Sequence, residues 1–210
     1  MTITITAEEG RNNLARFELT RVILVEGSDD QAVIAGLIRS ESLDEFHIHN
    51  MIGKDKWTGK LKAICRVPGF GKVTAVGLVR DADKDGGATW QSCMGSLSAA
   101  RLPTPGTPDL LEPGRPSIAV SIVPSRSDMG AIEEVCIPAF DQRQMACVNG
   151  YFSCVDPSAI PSSKAAVQAY LAGLQPVCKD LSVAIRNGLL DFSHQSFDGL
   201  RTFLHELDSA

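Results

Sequence analysis

The run VTAVGLV, residues 73–79, constrains the fold more than any other stretch: it is uncharged, rich in β-branched side chains, and ends abruptly in RDADKD. A strand of that composition has no polar face to show to water. It suits a central position in a parallel sheet with helices above and below. RVILV at 21–25 reads as another buried strand, followed by EGSDD and by QAVIAGLIRS, in which Ala32, Val33, Leu37 and Ile38 have helical spacing. FHIHNMIG at 46–53 alternates as a strand does, KWTGKLKAICRV at 56–67 has a helical pattern, and PGFGK at 68–72 breaks it.

The alternation continues along the chain. TWQSCMGSLSAARL at 89–102 reads as a helix, PTPGTPDLLEPGRP at 103–116 as a loop, and SIAVSIV at 117–123 as a strand. AIEEVCI at 131–137 is a short helical segment ended by Pro138. This order predicts an α/β domain with a mostly parallel central sheet flanked by helices. Two amphipathic segments follow, SSKAAVQAYLAGL with Ser162 or Ser163 as its cap and FDGLRTFLHEL near the terminus. The expected organisation is an α/β domain over 1–140 and a helical C-terminal extension over 141–210 packed on the same core.

A length of 210 residues supports one substantial core, and 44% hydrophobic with 21% charged residues is ordinary for a globular domain. The net charge of -5 argues against a surface coated for nonspecific nucleic-acid binding, which draws mainly on Lys and Arg, though it leaves room for a local basic groove. MTITITAEEG lacks the basic start and apolar core of a signal peptide, and no segment is apolar for the roughly 18 residues a membrane span needs. The expectation is a cytoplasmic protein without a membrane partner. The six cysteines are scattered without a CxxC pair, which suits small core or surface residues better than a zinc site.

The acids decide the functional reading. DADKDG at 81–86 matches the start of a calcium-binding EF-hand loop, but the twelfth position is Ser92 rather than Glu, and a strand precedes it instead of a helix. A haloacid-dehalogenase-type phosphatase also carries Asp-x-Asp after a strand, but its downstream acidic pair is missing; the Asp29–Asp30 pair lies upstream. The third reading joins separate segments: Glu26 after the first buried strand, Asp81 and Asp83 after the central strand, and Glu133 with Glu134 at a helix start. In an open parallel sheet, groups at the carboxyl ends of strands converge. Carboxylates so gathered repel one another unless a hard divalent cation joins them, and magnesium accepts a few carboxylates together with a substrate phosphate. Gly27 offers a sharp turn beside Glu26, and an extended Asp81-Ala82-Asp83 would point both carboxylates to one side.

LVEGSDD, VRDADKD and MGAIEEV, in that order, resemble the Toprim domain of topoisomerases, primases and OLD-type nucleases. Residues 20–137 carry the likeness, which is greatest for small stand-alone bacterial Toprim proteins placed near the OLD nucleases; the C-terminal segments resemble their tails. The resemblance implies that Glu26 is a general acid or base or a metal ligand, and that Asp81 and Asp83 ligate Mg2+, with Mn2+ as a substitute. It implies that Asp30 and Glu133 serve a second metal and that Lys164 steadies a phosphate. For Glu134 and Asp85 a surface role is expected.

The function implied is Mg2+-dependent phosphodiester chemistry on DNA or RNA, by a nuclease or by a nucleotidyltransferase using the same metal arrangement. A non-catalytic or regulatory module that binds a nucleotide or a protein is the alternative. OLD-type nucleases also carry an ATPase, and GFGK at 69–72 lacks the spacing of a phosphate loop, so a separate ATPase chain is an expected partner. Self-association is left open. His47 and His49 share a strand face and read as surface residues, while Lys54, Lys56, Lys60 and Lys62 around Trp57 read as a nucleic-acid contact or a solvated helix face. Tyr170 has core-like spacing.

Overall fold

The structure is a computed structural model that describes residues 3–7, 16–53, 56–158 and 160–210. Its strands are β1 (Ile3–Ala7), β2 (Arg21–Val25), β3 (Phe46–Asn50), β4 (Ala75–Asp81) and β5 (Ser117–Val123). They form one sheet in the order β1-β3-β2-β4-β5, with every neighbouring pair parallel. The sheet is therefore parallel throughout, where the sequence predicted a mostly parallel one. The chain places β3 on one side of β2 and then crosses to place β4 on the other, so a topological switch point falls between β2 and β4. Their carboxyl ends open there into a crevice.

Helices α1 (Ser28–Ser40), α2 (Trp57–Ile64), α3 (Gly86–Ala99) and α4 (Ile132–Cys136) follow β2, β3, β4 and β5 in turn. α5 (Gln142–Val155), α6 (Ser163–Gly173), α7 (Leu181–Arg186) and α8 (Asp198–Asp208) complete the chain. Side chains alternate across the sheet and build two cores. Ile23, Val25, Ile48, Ala75, Val79 and Ala119 face one way and pack with α1, α4, α6, α7 and α8. Val22, Leu24, Val76, Leu78, Val120 and Ile122 face the other and pack with α2 and α3. Coverage of both faces is what the uncharged run at 73–79 required.

The C-terminal segments share the first of these cores. A Cβ placed on Gly77 of β4 would fall 2.5 Å from Leu207 Cδ1 and 2.5 Å from Phe203 Cζ, so α8 packs directly on the bare backbone of the central strand. Among the described residues one strand and two α-helices lie outside the sequence-based assignment: β1, α5 and α7. In α5 only Met145 is buried, so its apolar residues never form the wide stripe that signals a helix.

Two expectations fail on burial. His47 and His49 are each 2% exposed, because β3 lies inside the sheet between β1 and β2 and Phe17 covers that face, its ring 5.2 Å from that of His47. Trp57 is a core residue, 3% exposed, which removes it from any base-stacking role. Lys60 Nζ is bound to the carbonyls of Met51 and Ile52; Lys54 lies outside the described residues. Tyr170 is buried, with its ring 4.4 Å from that of Phe140. Among the described residues no helix is long and apolar enough to cross a membrane.

Candidate functional site

The acids meet at the carboxyl edge of the sheet. A cleft of about 340 Å³ is lined by Asp81, Asp83, Lys84, Glu133, Glu134 and Lys164, among others. Larger concavities exist, including one of about 770 Å³ around Phe140 and His194 and one of about 530 Å³ beside β5. Neither gathers a comparable set of acids, so chemistry rather than volume singles out the smaller cleft.

Asp81 ends β4, and its Oδ1 accepts the backbone N–H of Ile132 at 3.1 Å. This bond ties the strand to α4, whose second residue is Glu133. Glu134 Oε2 accepts the N–H of Ala131 at 2.8 Å, and its Oε1 accepts the Ser163 hydroxyl at 2.5 Å. α4 thereby holds the start of α6, and α6 carries Lys164 to the cleft. Ser162 caps α6, accepting the Ala165 N–H at 3.2 Å. Glu134 and Asp85 have structural work beyond a plain surface role, since Asp85 caps α3 by accepting the Ala88 N–H at 2.9 Å.

Two details of the sequence reading are corrected. Gly27 does not use a sharp turn: its φ of -139° and ψ of -179° are extended. What it supplies is space, since its N–H donates to Asp30 Oδ2 at 2.8 Å and a Cβ there would sit 3.1 Å from that oxygen. The Asp81-Ala82-Asp83 segment is not extended to its end. β4 stops at Asp81, and Asp83 takes a left-handed φ of 53° while its backbone N–H and C=O pair with Gly130, both at 2.8 Å. Aspartate tolerates that region better than most residues, and Asp83 reaches the same cleft by a turn instead of by strand alternation.

Electrostatics mark the cluster as strained in charge. Burial pushes Asp30 up to about 7, with the charges of Glu26 and Glu133 adding to it. Burial pushes Asp81 up to about 8, helped by Asp30, Glu26 and Glu133. Glu133 and Asp29 are also raised by burial, and Lys164 acts against the rise at both. Asp30 is 3% exposed, and its Oδ1 is buried with no hydrogen-bond partner. A buried carboxylate oxygen without a donor asks for a cation or a proton. Asp30, Asp81 and Glu133 are hard oxygen donors of the kind magnesium accepts, so this part of the set fits such an ion. Among the described residues no three His, Cys, Asp or Glu side chains converge closely enough to hold a metal as they stand, so ligation requires side-chain rotation.

Glu26 stands apart. Its Oε2 accepts from Arg80 Nε at 2.7 Å, and the Arg80 guanidinium lies over the Trp57 ring, 4.4 Å from its centroid. Sequence reading missed Arg80; the available signal was an arginine closing an otherwise apolar strand, one position before an acid and hence on the opposite face.

A parallel α/β domain with acids collected at its switch point is the class that fold and site define together. The same fold occurs in the C-terminal region of the OLD protein of Xanthomonas campestris pv. campestris, at 11% identity and a TM-score of 0.53, covering 92% of this chain and 96% of that one. It also occurs in the C-terminal region of the OLD protein of Burkholderia pseudomallei, at 10% identity and a TM-score of 0.53, covering 92% and 98%. At these identities the likeness is one of fold. The chain belongs to the family described as protein of unknown function (DUF3226), which matches residues 20–208. No curated protein matches it.

Proposed function

We propose that the chain carries out Mg2+-dependent phosphodiester chemistry on nucleic acid, as a nuclease of Toprim and OLD type. One observation carries this reading: acids from three separate segments, Asp30, Asp81 with Asp83, and Glu133, collect at the carboxyl ends of β2, β4 and β5, where burial and mutual repulsion raise Asp30 and Asp81, with Lys164 at the same cleft. Asp30, Asp81, Asp83 and Glu133 would hold the ion. A bound Mg2+ supplies Lewis-acid polarisation of a phosphoryl oxygen and a more acidic water.

The chain's own residues do the rest. Asp30 and Asp81, with pKa values raised to about 7 and 8, give up protons at the carboxyl oxygens when a cation enters. Lys164, exposed and held by α6, is free to meet a phosphate oxygen. The bond from Ser163 to Glu134 keeps that lysine over α4.

A second reading, a Toprim-fold module that binds without cutting, is favoured by the pairing of Glu26 with Arg80 and by the open spacing of the acids. Labelled single-stranded and duplex DNA and RNA, incubated with Mg2+ or Mn2+, separate the two. Metal-dependent cleavage by the wild type that disappears in Asp81→Asn and in Glu133→Gln is the expected result. Binding of ion and nucleic acid with no cleavage of any substrate would overturn the nuclease reading and leave the binding module.

A further inference from the structure

The acids at the sheet edge lie in two different environments, divided by the plane of the sheet. Val22 and Leu24 face α2 and α3, and so do Val76 and Leu78; Glu26 and Arg80 continue these two rows. There they meet, Arg80 Nε to Glu26 Oε2 at 2.7 Å, with side chains 6% and 11% exposed and the guanidinium stacked on Trp57. Asp81 turns to the other face, where it binds the Ile132 N–H of α4, and Asp30 belongs to α1 on that same face. On that side Asp30 Oδ1 has no partner.

We propose that Arg80 is a built-in counter-cation that takes the place of a second metal ion at Glu26, so that the cleft accepts one divalent cation, on the side of Asp30, Asp81 and Glu133. The inference rests on the reading of the cleft as a magnesium site. A dication drawn to Glu26 would be pressed against a guanidinium in surroundings that screen poorly, and the two positive charges repel. Pulling Glu26 away instead would leave the Arg80 charge buried without its carboxylate, which is more costly than keeping the pair. Stacking on Trp57 holds the planar guanidinium in place, a geometry that the point charge of a lysine does not reproduce. Arg80 is thus a positioning residue: it holds the Glu26 carboxyl group by the 2.7 Å contact and withholds it from ligation.

The test is Mn2+ titration of the full chain by calorimetry, with electron paramagnetic resonance at saturation. The wild type is expected to bind one Mn2+ with the six-line spectrum of an isolated ion. Glu26→Gln is expected to keep the same count and to lose only part of the affinity, through the Arg80 charge left unpaired near the ion, while Asp81→Asn loses more, about tenfold or greater, as removal of a ligand should. Arg80→Gln, if it folds as judged by circular dichroism, is expected to bind a second ion, and Arg80→Lys to stay at one. Two ions in the wild type with a spin-coupled spectrum would overturn the inference and leave the magnesium site standing. So would a loss of affinity in Glu26→Gln as large as in Asp81→Asn. No Mn2+ binding by the wild type would overturn both.

Discussion

The Asp81 carboxylate accepts the Ile132 backbone N–H at 3.1 Å, so the last residue of the central strand caps the helix that presents Glu133. Charge and hydrogen bonding at this position can be separated by substitution. Asp81→Asn keeps an acceptor for Ile132 and removes the charge. The metal-free variant should melt at or above the wild-type temperature, because Asn avoids both the desolvated charge and the proton uptake that this position forces on Asp81 among other acids, and Mg2+ should raise its melting temperature less than it raises that of the wild type. Asp81→Ala loses the bond as well and should cost about 1 kcal/mol more. Thermal melts with and without Mg2+ check both; a melting temperature for Asp81→Asn well below that of the wild type without metal would count against the strain assigned to the cluster.

Gly77 tests whether the C-terminal helix belongs to the core of the sheet. Phe203 and Leu207 of α8 occupy the space a Cβ would need. Gly77→Ala is expected to destabilise the fold by about 1–3 kcal/mol through overpacking. A shift of the urea midpoint at unchanged slope would show it, and an unshifted midpoint would contradict the direct packing of α8 on β4.

Stability without metal should decline on the alkaline side of neutrality. Asp30 and Asp81 have folded pKa values raised from 3.8 to about 7 and about 8, so the folded chain keeps protons that the unfolded chain has released. Their contribution is present below the unfolded value and is lost as pH climbs through the folded ones. His47 works in the other direction: burial depresses it from 6.5 to about 4, and its contribution is lost as pH falls through that interval. Above 6.5 only the carboxylates act. The melting temperature of the metal-free chain should therefore fall between pH 6.5 and about 8, and saturating Mg2+ should flatten that fall. A metal-free profile that is level or rising in this window would refute the assignment.

Lys164 separates phosphate handling from folding. It is exposed, so Lys164→Gln should leave the melting temperature nearly unchanged while slowing phosphodiester cleavage by about 10²-fold, the scale of losing one charged donor at a reacting phosphate. Lys164→Arg should recover part of the rate. Equal rates for wild type and Lys164→Gln would remove this residue from the site.

Much of the fold was legible in the chain itself. The runs at 21–25, 73–79 and 117–123, charged only at Arg21, are β2, β4 and β5 within a few residues, since burial on both faces leaves a composition that only a covered strand tolerates. The helix over 89–102 and the two C-terminal amphipathic segments read equally clearly, each having a continuous apolar stripe. β1, α5 and α7 did not: the alternation in ITITA was the available signal for β1, whereas α5 buries only Met145 and α7, six residues long, is too short to show a period.

The site shows the same division. Sequence order alone placed Glu26, Asp81, Asp83 and Glu133 at the ends of elements, because a parallel sheet delivers such ends to one edge. It could not decide which face of the sheet each acid would take, since one residue of register moves a side chain to the opposite side. Only the tertiary structure put Glu26 with Arg80 and Trp57, left Asp30 Oδ1 without a partner, and brought Lys164 to α4 through Ser163 and Glu134. These contacts join residues far apart in the chain, and the packing of two cores on opposite faces, not any local preference, sets them.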